Sequence, residues 1–488
     1  MLALFILVPL VALVALNVPL GRASAAKAIV LTVAWSALQV ALAAMQAFGV
    51  LPPNQWLQST FAFGLAADPL SLMMLVVIGI ITAVAAVVAG STVSPDRRAF
   101  HFVNVLLVAM IGMNGLSLAT DLFTLYVFIE VTSVASFILI AVDRTSQGLE
   151  GAFKYIILSA VASVLMVGSV AVLMMTGGST GFAQLAAAIR SPQAASPFVL
   201  AACGAFICGL LIKGGLVPFH GWVVGAYAHG NTAASVLLAG IASKAAGVYT
   251  LMRLVVSVFG AGAATSQVLL LVGVVSAAVG ALAALGQRDL KRLLAWSSIS
   301  QVGYILLGLG CAASSVPHAA ELGLLGAALH FFNHAMLKGQ LFVNAAALQQ
   351  RLGGTDMDRM GGLGERMPWT SLTAGIAALS TAGIPPLAGF WSKLIIIIAL
   401  WQAGLAWYAA AAVAISVVTL GYMLTMQRKI FFGQLAEGLG DVREASPALV
   451  VPAVALAAIS VGVGVTVPVV GLVVDVFQKI AAGILGHG

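Results

Sequence analysis

An all-α polytopic membrane protein is the fold class this sequence predicts, with about 14 transmembrane helices, two of them broken. Three observations carry that reading. Of 488 residues, 61% are hydrophobic and only 8% are charged, whereas soluble domains carry roughly 25% charged residues. A series of stretches holds the roughly 20 apolar residues that a hydrocarbon core of about 30 Å requires of a helix. Lysine and arginine fall almost entirely in alternate loops, as the positive-inside rule requires.

In chain order the stretches lie near 2–20, 28–49, 69–93, 100–119, 121–142, 152–176, 197–222, 232–258, 266–286, 293–312, 320–349, 369–402, 406–431 and 447–472. The first lacks a basic leader and a small-residue cleavage site, so it reads as a retained helix. A short amphipathic piece at 182–190 reads as lying at the surface. The stretch from 197 contains CGLLIKGGLVPFHGW, in which Gly214, Gly215 and Pro218 follow Lys213. The stretch from 369 contains STAGIPPLAGFWSK, in which Gly383, Pro385, Pro386 and Gly389 precede Lys393. Proline removes a backbone donor and glycine weakens a helix, so both are expected to be discontinuous, with freed carbonyls that hold water or orient an ammonium group. A packing kink explains either one alone. Paired breaks beside lysines, in corresponding positions of two halves, point instead to an inverted-repeat transporter and its ion site.

The net charge is +7 and the pI about 9.5. Arg22, Lys27, Arg97, Arg98, Arg144, Lys154, Arg288, Lys291, Arg292, Arg351, Arg359, Arg366, Arg428, Lys429 and Arg443 fall on one side of the map, against Arg190, Arg253 and Lys479 on the other. With an even number of helices, this places both termini away from the cytoplasm in a multi-pass protein of the cell inner membrane. Most of the positive charge is thus a topology signal, and no nucleic-acid partner is needed to explain it.

Four basic residues remain: Lys213, Lys244, Lys338 and Lys393, all inside apolar stretches, with Glu130 as their one clear acidic counterpart. A lysine at the bilayer centre costs about 2.5–3.5 kcal/mol even on lenient scales, so intramembrane ionisable groups mark ion paths by default. Snorkelling or a fixed structural ion pair accounts for any single one. It does not account for four, because one glutamate cannot neutralise four lysines. His330, His334 and Lys338 stand at i, i+4 and i+8 and share one helix face over about 12 Å, a ladder of exchangeable sites. Zinc on the histidine pair is disfavoured, since no carboxylate or cysteine completes a site there. Cys203, Cys208 and Cys311 show no metal-ligand spacing. No cofactor, metal or catalytic redox site is expected in this chain.

Six blocks now resemble a known family: NGLSLATDLFTLYVFIEVTSVASFILIA, KGGLVPFHGW, IASKAAGVYTLMR, RDLKRLLAWSSISQVGYILLGLG, FFNHAMLKGQLF and GIPPLAGFWSK. In this order, over about 68–432, they resemble the antiporter-like proton-channel family. That family comprises the D-type subunit of Mrp cation/proton antiporters and the related membrane subunits of respiratory complex I and membrane-bound hydrogenases. The resemblance implies two inverted five-helix repeats, at 100–258 and 266–431, flanked by N-terminal helices at 1–99 and a C-terminal helix with a short tail at 432–488. It also implies that Glu130 pairs with Lys213, that Lys244 bridges the repeats, that His334 and Lys338 relay protons, and that Lys393 is the exit. One block departs: after Trp222 the sequence reads VVGAYAHGNTAAS, with Val224, Gly225, Gly230 and Asn231 where members often carry a proline, an aspartate and an Ala-Pro pair. The bend of this helix and the role of His229 are the points affected.

A Glu–Lys pair at about 4 Å in an effective dielectric near 20 is worth on the order of 4 kcal/mol, and moving one charge through 100 mV costs about 2.3 kcal/mol. Such a pair is therefore a switch of the right size. No nucleotide, flavin, haem or cluster motif is visible, so the energy comes from an ion gradient or a partner. The leading expectation is a proton-translocating subunit of a redox-driven complex, working with other integral membrane subunits. The alternative is an Mrp-type sodium/proton antiporter subunit without redox chemistry. A passive or quinone-contacting scaffold is disfavoured by the four lysines, and a solitary carrier by the lack of a polar pocket. Direct sodium binding is unsupported, because acidic ligands are scarce apart from Glu130.

Overall fold

The computed structural model describes residues 2–18, 24–50, 64–191, 196–260, 262–314, 316–469 and 471–485; Arg22, one of the topology charges, lies outside them. Every regular element among the described residues is a helix. In order they are α1 Leu4–Asn17, α2 Ala25–Ala47, α3 Pro69–Thr92, α4 Asp96–Leu118, α5 Leu122–Ile140, α6 Ser146–Gly177, the surface helix α7 Phe182–Arg190, α8 Pro197–Gly214 and α9 Gly221–His229. Then follow α10 Thr232–Ser257, α11 Ala263–Leu285, α12 Leu290–Gly310, α13 Pro317–Leu352, α14 Pro368–Ala382, α15 Ala388–Gln402, α16 Ala406–Phe431, α17 Pro447–Val469 and α18 Gly471–Leu485.

Eleven of the described helices are long and apolar enough to cross a bilayer. The other stretches expected to cross are α1, with 14 residues, the polar-laced α13, and the split pair α14 and α15. The expected breaks are present. Gly215 at φ +70° and Gly383 at φ +88° close α8 and α14 in the left-handed conformation that glycine adopts without strain. Pro218, Pro385 and Pro386 sit in the links to α9 and α15. Several helices begin on side-chain caps. Asp68 accepts from the Ser71 N–H at 2.8 Å, Asp121 from Thr124 at 2.8 Å and Asp289 from Arg292 at 2.9 Å.

Burial separates inner from outer helices. The most apolar window of α10 is 100% buried and that of α12 94%, against 33% in α2 and α6. The outer faces carry Phe153, Val164 and Met175 toward lipid. Small residues let the inner helices approach closely. A Cβ on Gly280 would fall 2.5 Å from the Ser300 backbone N, and one on Gly303 2.5 Å from the Gly273 carbonyl oxygen. The Ser300 hydroxyl donates to the Ala277 carbonyl at 2.9 Å across the same seam. Two stretches of α10, Leu238–Ala242 and Lys244–Tyr249, widen to π-helical turns, which leave carbonyls unpaired within the helix and occur often at functional sites.

Two sequence expectations need correction. The C-terminal tail beyond α17 contains α18, whose stripe of Phe477, Ile480 and Ala481 is buried while Asp475, Gln478 and Lys479 face outward. Those polar residues break the continuous apolar run that marks a span, so only helical periodicity betrays this helix. Arg253, read as a loop charge, is instead fixed in the bundle. Its Nη1 and Nη2 donate to Asp68 Oδ2 and Oδ1 at 3.0 and 2.8 Å, Nη2 also to Ser71 Oγ at 2.9 Å and Nε to Tyr249 Oη at 3.0 Å.

This packing is testable at two positions. Gly303→Leu forces a side chain into the Gly273 backbone, so about 1–3 kcal/mol of stability should be lost, read as a lower Tm in detergent; an unchanged Tm refutes the close seam. Burial alone would raise the Asp68 carboxyl, but Arg253 and Ser71 hold it below its usual value. Its stabilisation is therefore complete above the ordinary carboxylate pKa of about 3.9 and lost as pH falls through the lower folded value. Asp68→Asn should destabilise at pH 7 by about 1–3 kcal/mol, below the fully buried case because Asp68 is partly exposed. The gap from wild type should close below about pH 4; a gap independent of pH contradicts the assignment.

Candidate functional site

Lys213 stands in the last turn of α8, where the ends of carbonyl dipoles favour a cation. Its side chain is buried, and Nζ donates to Glu130 Oε1 at 2.9 Å, Ser133 Oγ at 2.9 Å, Ser159 Oγ at 2.7 Å and Ser163 Oγ at 3.4 Å. Ser163 also donates to Glu130 Oε1 at 2.7 Å. Glu130 on α5 is less enclosed, with 28% of its side chain exposed. The pair is thus asymmetric: a buried ammonium held by three hydroxyls, and a carboxylate with an open edge. Behind it, Gly214 and Gly247 bring α8 against the second π segment of α10, since a Cβ on Gly247 would overlap the Gly214 backbone.

Lys244 opens that π segment and donates back to the Ala239 carbonyl of its own helix. It has no carboxylate partner among the described residues. Tyr227 on α9 stands close by, its hydroxyl 2.6 Å from Ser243 Oγ. On α13, Lys338 donates to the Leu294 carbonyl of α12 at 3.1 Å, and both Lys244 and Lys393 lie within its electrostatic reach. The rings of His330 and His334 stack with centroids 6.3 Å apart at 10°, so the expected face exists. Neither ring nitrogen of His334 has a hydrogen-bond partner among the described residues.

The second break completes the line. Lys393 on α15 reaches back across the gap to the Thr381 carbonyl of α14 at 2.8 Å, with Nζ 4.7 Å from the centre of the Tyr304 ring. Its neighbour Ser392 hydrogen-bonds His330 Nδ1 at 2.9 Å. The structure therefore brings together Glu130 and Lys213 in one group, and His330, His334, Lys338 and Lys393 in another. Lys244 lies between them. The helix-break residues Gly214, Gly215, Pro218, Pro385 and Pro386 flank the two lysines at the ends.

Residues 119–419 match the family described as NADH:quinone oxidoreductase/Mrp antiporter, TM. Over 417 residues the chain is 32% identical to the D-type subunit of the Na(+)/H(+) antiporter of Alkalihalophilus pseudofirmus, covering 85% of this chain and 82% of that protein. The N-type subunit of the NADH-quinone oxidoreductase of Desulforudis audaxviator is 34% identical over 73% of this chain and 70% of its own. A chain in the structure of the Mrp complex from Dietzia sp. DQ12-45-1b superposes with a TM-score of 0.87 at 25% identity, covering 99% of this chain and 97% of that one.

The chain belongs to the NADH:quinone oxidoreductase/Mrp antiporter membrane family. The matched segment contains all seven ionisable residues singled out from the sequence. The structure adds residues to this antiporter-like site that sequence reading missed. Ser133, Ser159 and Ser163 surround Lys213, but isolated serines on apolar helices carry no signal until two helices are packed. Tyr304 is likewise an unremarked aromatic in the sequence.

Lys291 is the larger correction. Read as a loop charge, it is 4% exposed, and its Nζ donates to the Gly230 carbonyl at 2.8 Å and to Thr232 Oγ1 at 3.3 Å. It lines a polar cavity of about 660 Å³ with Asp143, His229, Asn231, Gln349 and Thr355. Asn231, in the block that departs from the family pattern, donates to Asp143 Oδ2 at 2.8 Å. The cavity lies at the basic end of the bundle, and Lys291 stands one helical turn from Leu294, the residue that holds Lys338.

The asymmetry of the ion pair has a measurable outcome. Glu130→Ala strands a fully enclosed ammonium and should cost about 3–5 kcal/mol, whereas Lys213→Met leaves a less enclosed carboxylate that still accepts from Ser163 and should cost clearly less. Thermal unfolding of the two variants in one detergent checks the order; equal or reversed losses contradict it.

Proposed function

We propose that this chain is a proton-translocating, antiporter-like subunit of a multi-subunit redox-driven membrane complex of the complex I or membrane-hydrogenase type. Protons move along Glu130, Lys213, Lys244, His330, His334, Lys338 and Lys393. The observation that carries this reading is the burial of four lysines within the spans with one carboxylate among them. A scaffold gains nothing from buried cations, whereas groups that exchange protons need to be ionisable and held without a fixed counter-charge.

The geometry supplies the parts of a switch. At 2.9 Å and an effective dielectric near 20, the Glu130–Lys213 attraction is on the order of 6 kcal/mol, more than the roughly 2.3 kcal/mol needed to move a charge through 100 mV. Opening the pair releases that bias, while Ser133, Ser159 and Ser163 keep the ammonium solvated, so it need not leave its place. Protons pass through bridging water to Lys244, the Lys338 and His334 face, and Lys393. On this reading protons enter from the basic side through the Lys291 cavity, one helical turn from Leu294, whose carbonyl holds Lys338. On this reading residues 100–258 and 266–431 are two inverted repeats, residues 1–99 and 432–488 flank them, both termini face away from the cytoplasm, and the location is the cell inner membrane. Other integral membrane subunits pack beside it and supply the energy.

A second reading has its own support. The similarity to the D-type subunit of an Na(+)/H(+) antiporter over 85% of the chain, and to a chain of the Mrp complex, is as compatible with an Mrp-type subunit with no redox step. The subunits that copurify decide between the readings. Cluster-binding hydrogenase or dehydrogenase subunits support the first, and only small antiporter subunits overturn it in favour of the second.

Transport assays test the path itself. Glu130→Gln and Lys213→Ala should each reduce coupled proton movement in inverted vesicles to background while the assembled complex persists on a native gel; coupling that survives either change refutes the switch. Lys291→Ala should lower the rate at least several-fold, and a wild-type rate removes the cavity from the path.

A further inference from the structure

A groove of about 1140 Å³ runs down the outside of α4, α5 and α6 from the basic end of the bundle. It lies apart from the ionisable line, and nothing in the proposed transport uses it. Its upper wall carries Arg97, Arg98 and Arg144, with His101 beside them. Below these, the lining is apolar, with Val105, Phe137, Ile138, Leu149, Phe153 and Ile156. Phe153 is 62% exposed and Ile138 45%.

None of the three guanidinium groups makes an ion pair among the described residues. The nearby acids make their closest contacts elsewhere. Glu150 pairs with Lys154, Asp143 accepts from Asn231, and Asp96 accepts from the Ala25 N–H. Arg144 is also the one described non-glycine residue at positive φ, +55°, its N–H bonded to the Ala141 carbonyl at 3.0 Å. Strained residues of this kind gather at ligand clamps and functional sites. From Arg98 to Val105 the groove descends about 10 Å along α4, well into the roughly 15 Å of one leaflet's hydrocarbon.

We propose that this groove binds an anionic phospholipid, with its phosphate on Arg97, Arg98 and Arg144 and its acyl chains along Val105, Ile138 and Phe153. Charge separates this occupant from others. Three guanidinium groups without an ion pair among the described residues, at headgroup depth, select phosphate, and basic pockets between transmembrane helices on the cytoplasmic side suit acidic headgroups. A zwitterionic lipid gains little there. A partner helix would need clustered acids at the same depth.

The test uses the whole complex, reconstituted into vesicles of phosphatidylcholine alone, or of phosphatidylcholine with cardiolipin or with phosphatidylglycerol. Either acidic lipid should raise the Tm of the wild type, and the triple variant Arg97→Gln, Arg98→Gln, Arg144→Gln should lose that increment while matching wild type in phosphatidylcholine. Competition by spin-labelled acidic lipid should show affinity falling about fivefold per arginine and about 100-fold for all three. An increment retained by the triple variant, or none in wild type, overturns the site. Where the triple variant fails to insert, a photo-crosslinker at Ile138 in the otherwise native chain gives the answer. Acidic phospholipid on the crosslinked peptide supports the site, whereas a partner polypeptide or only phosphatidylcholine overturns it.

Discussion

The structure is organised around one difficulty, the holding of ammonium groups inside a bilayer with almost no carboxylates to match them. Lys213 has Glu130 and a cage of serines. Each of the others ends on a backbone carbonyl: Lys244 on Ala239, Lys338 on Leu294, Lys393 on Thr381 and Lys291 on Gly230. A carbonyl stabilises an ammonium without neutralising it. The groups are therefore tolerable in the folded state, yet none is locked in a fixed charge pair.

Irregular helix is what makes several of those carbonyls available. In a regular helix, nearly every carbonyl is taken by the residue four positions on. The break after Ala382 frees Thr381 for Lys393, the π turns of α10 free Ala239 for Lys244, and the junction of α9 and α10 offers Gly230 to Lys291. The glycines serve the same end. Gly214 and Gly247 bring the first break against the π segment, and Gly383 leaves room for the Lys393 stem, whose Cδ would lie 3.2 Å from a Cβ there. The Ile212 carbonyl accepts from the Gly215 N–H at 3.1 Å and from Trp222 Nε1 at 3.0 Å, so the first break is supported from its own far side.

The open edge of Glu130 and the closed cage of Lys213 divide the ion pair into a responsive partner and a fixed one. At the other end of the line, His334 sits between a stacked ring and Lys338 with no protein hydrogen bond among the described residues.

The sequence by itself determined the membrane fold, the approximate spans, the two broken helices and the seven ionisable residues, because apolar run length, glycine and proline placement and charge inside a span are local properties. It also placed Lys213 beside Glu130 by resemblance. What only the tertiary structure decided depends on juxtaposition. Lys291 and Arg253 look like loop charges in one dimension because they lie near helix ends, and only packing shows one beneath a polar cavity and the other clasped by Asp68. The serines around Lys213, the carbonyls that end Lys338 and Lys291, and the cluster of three arginines over an apolar groove come from segments far apart in the chain. α18 escaped for the opposite reason: its helical stripe is local, but polar residues interrupt the run length by which membrane spans are recognised.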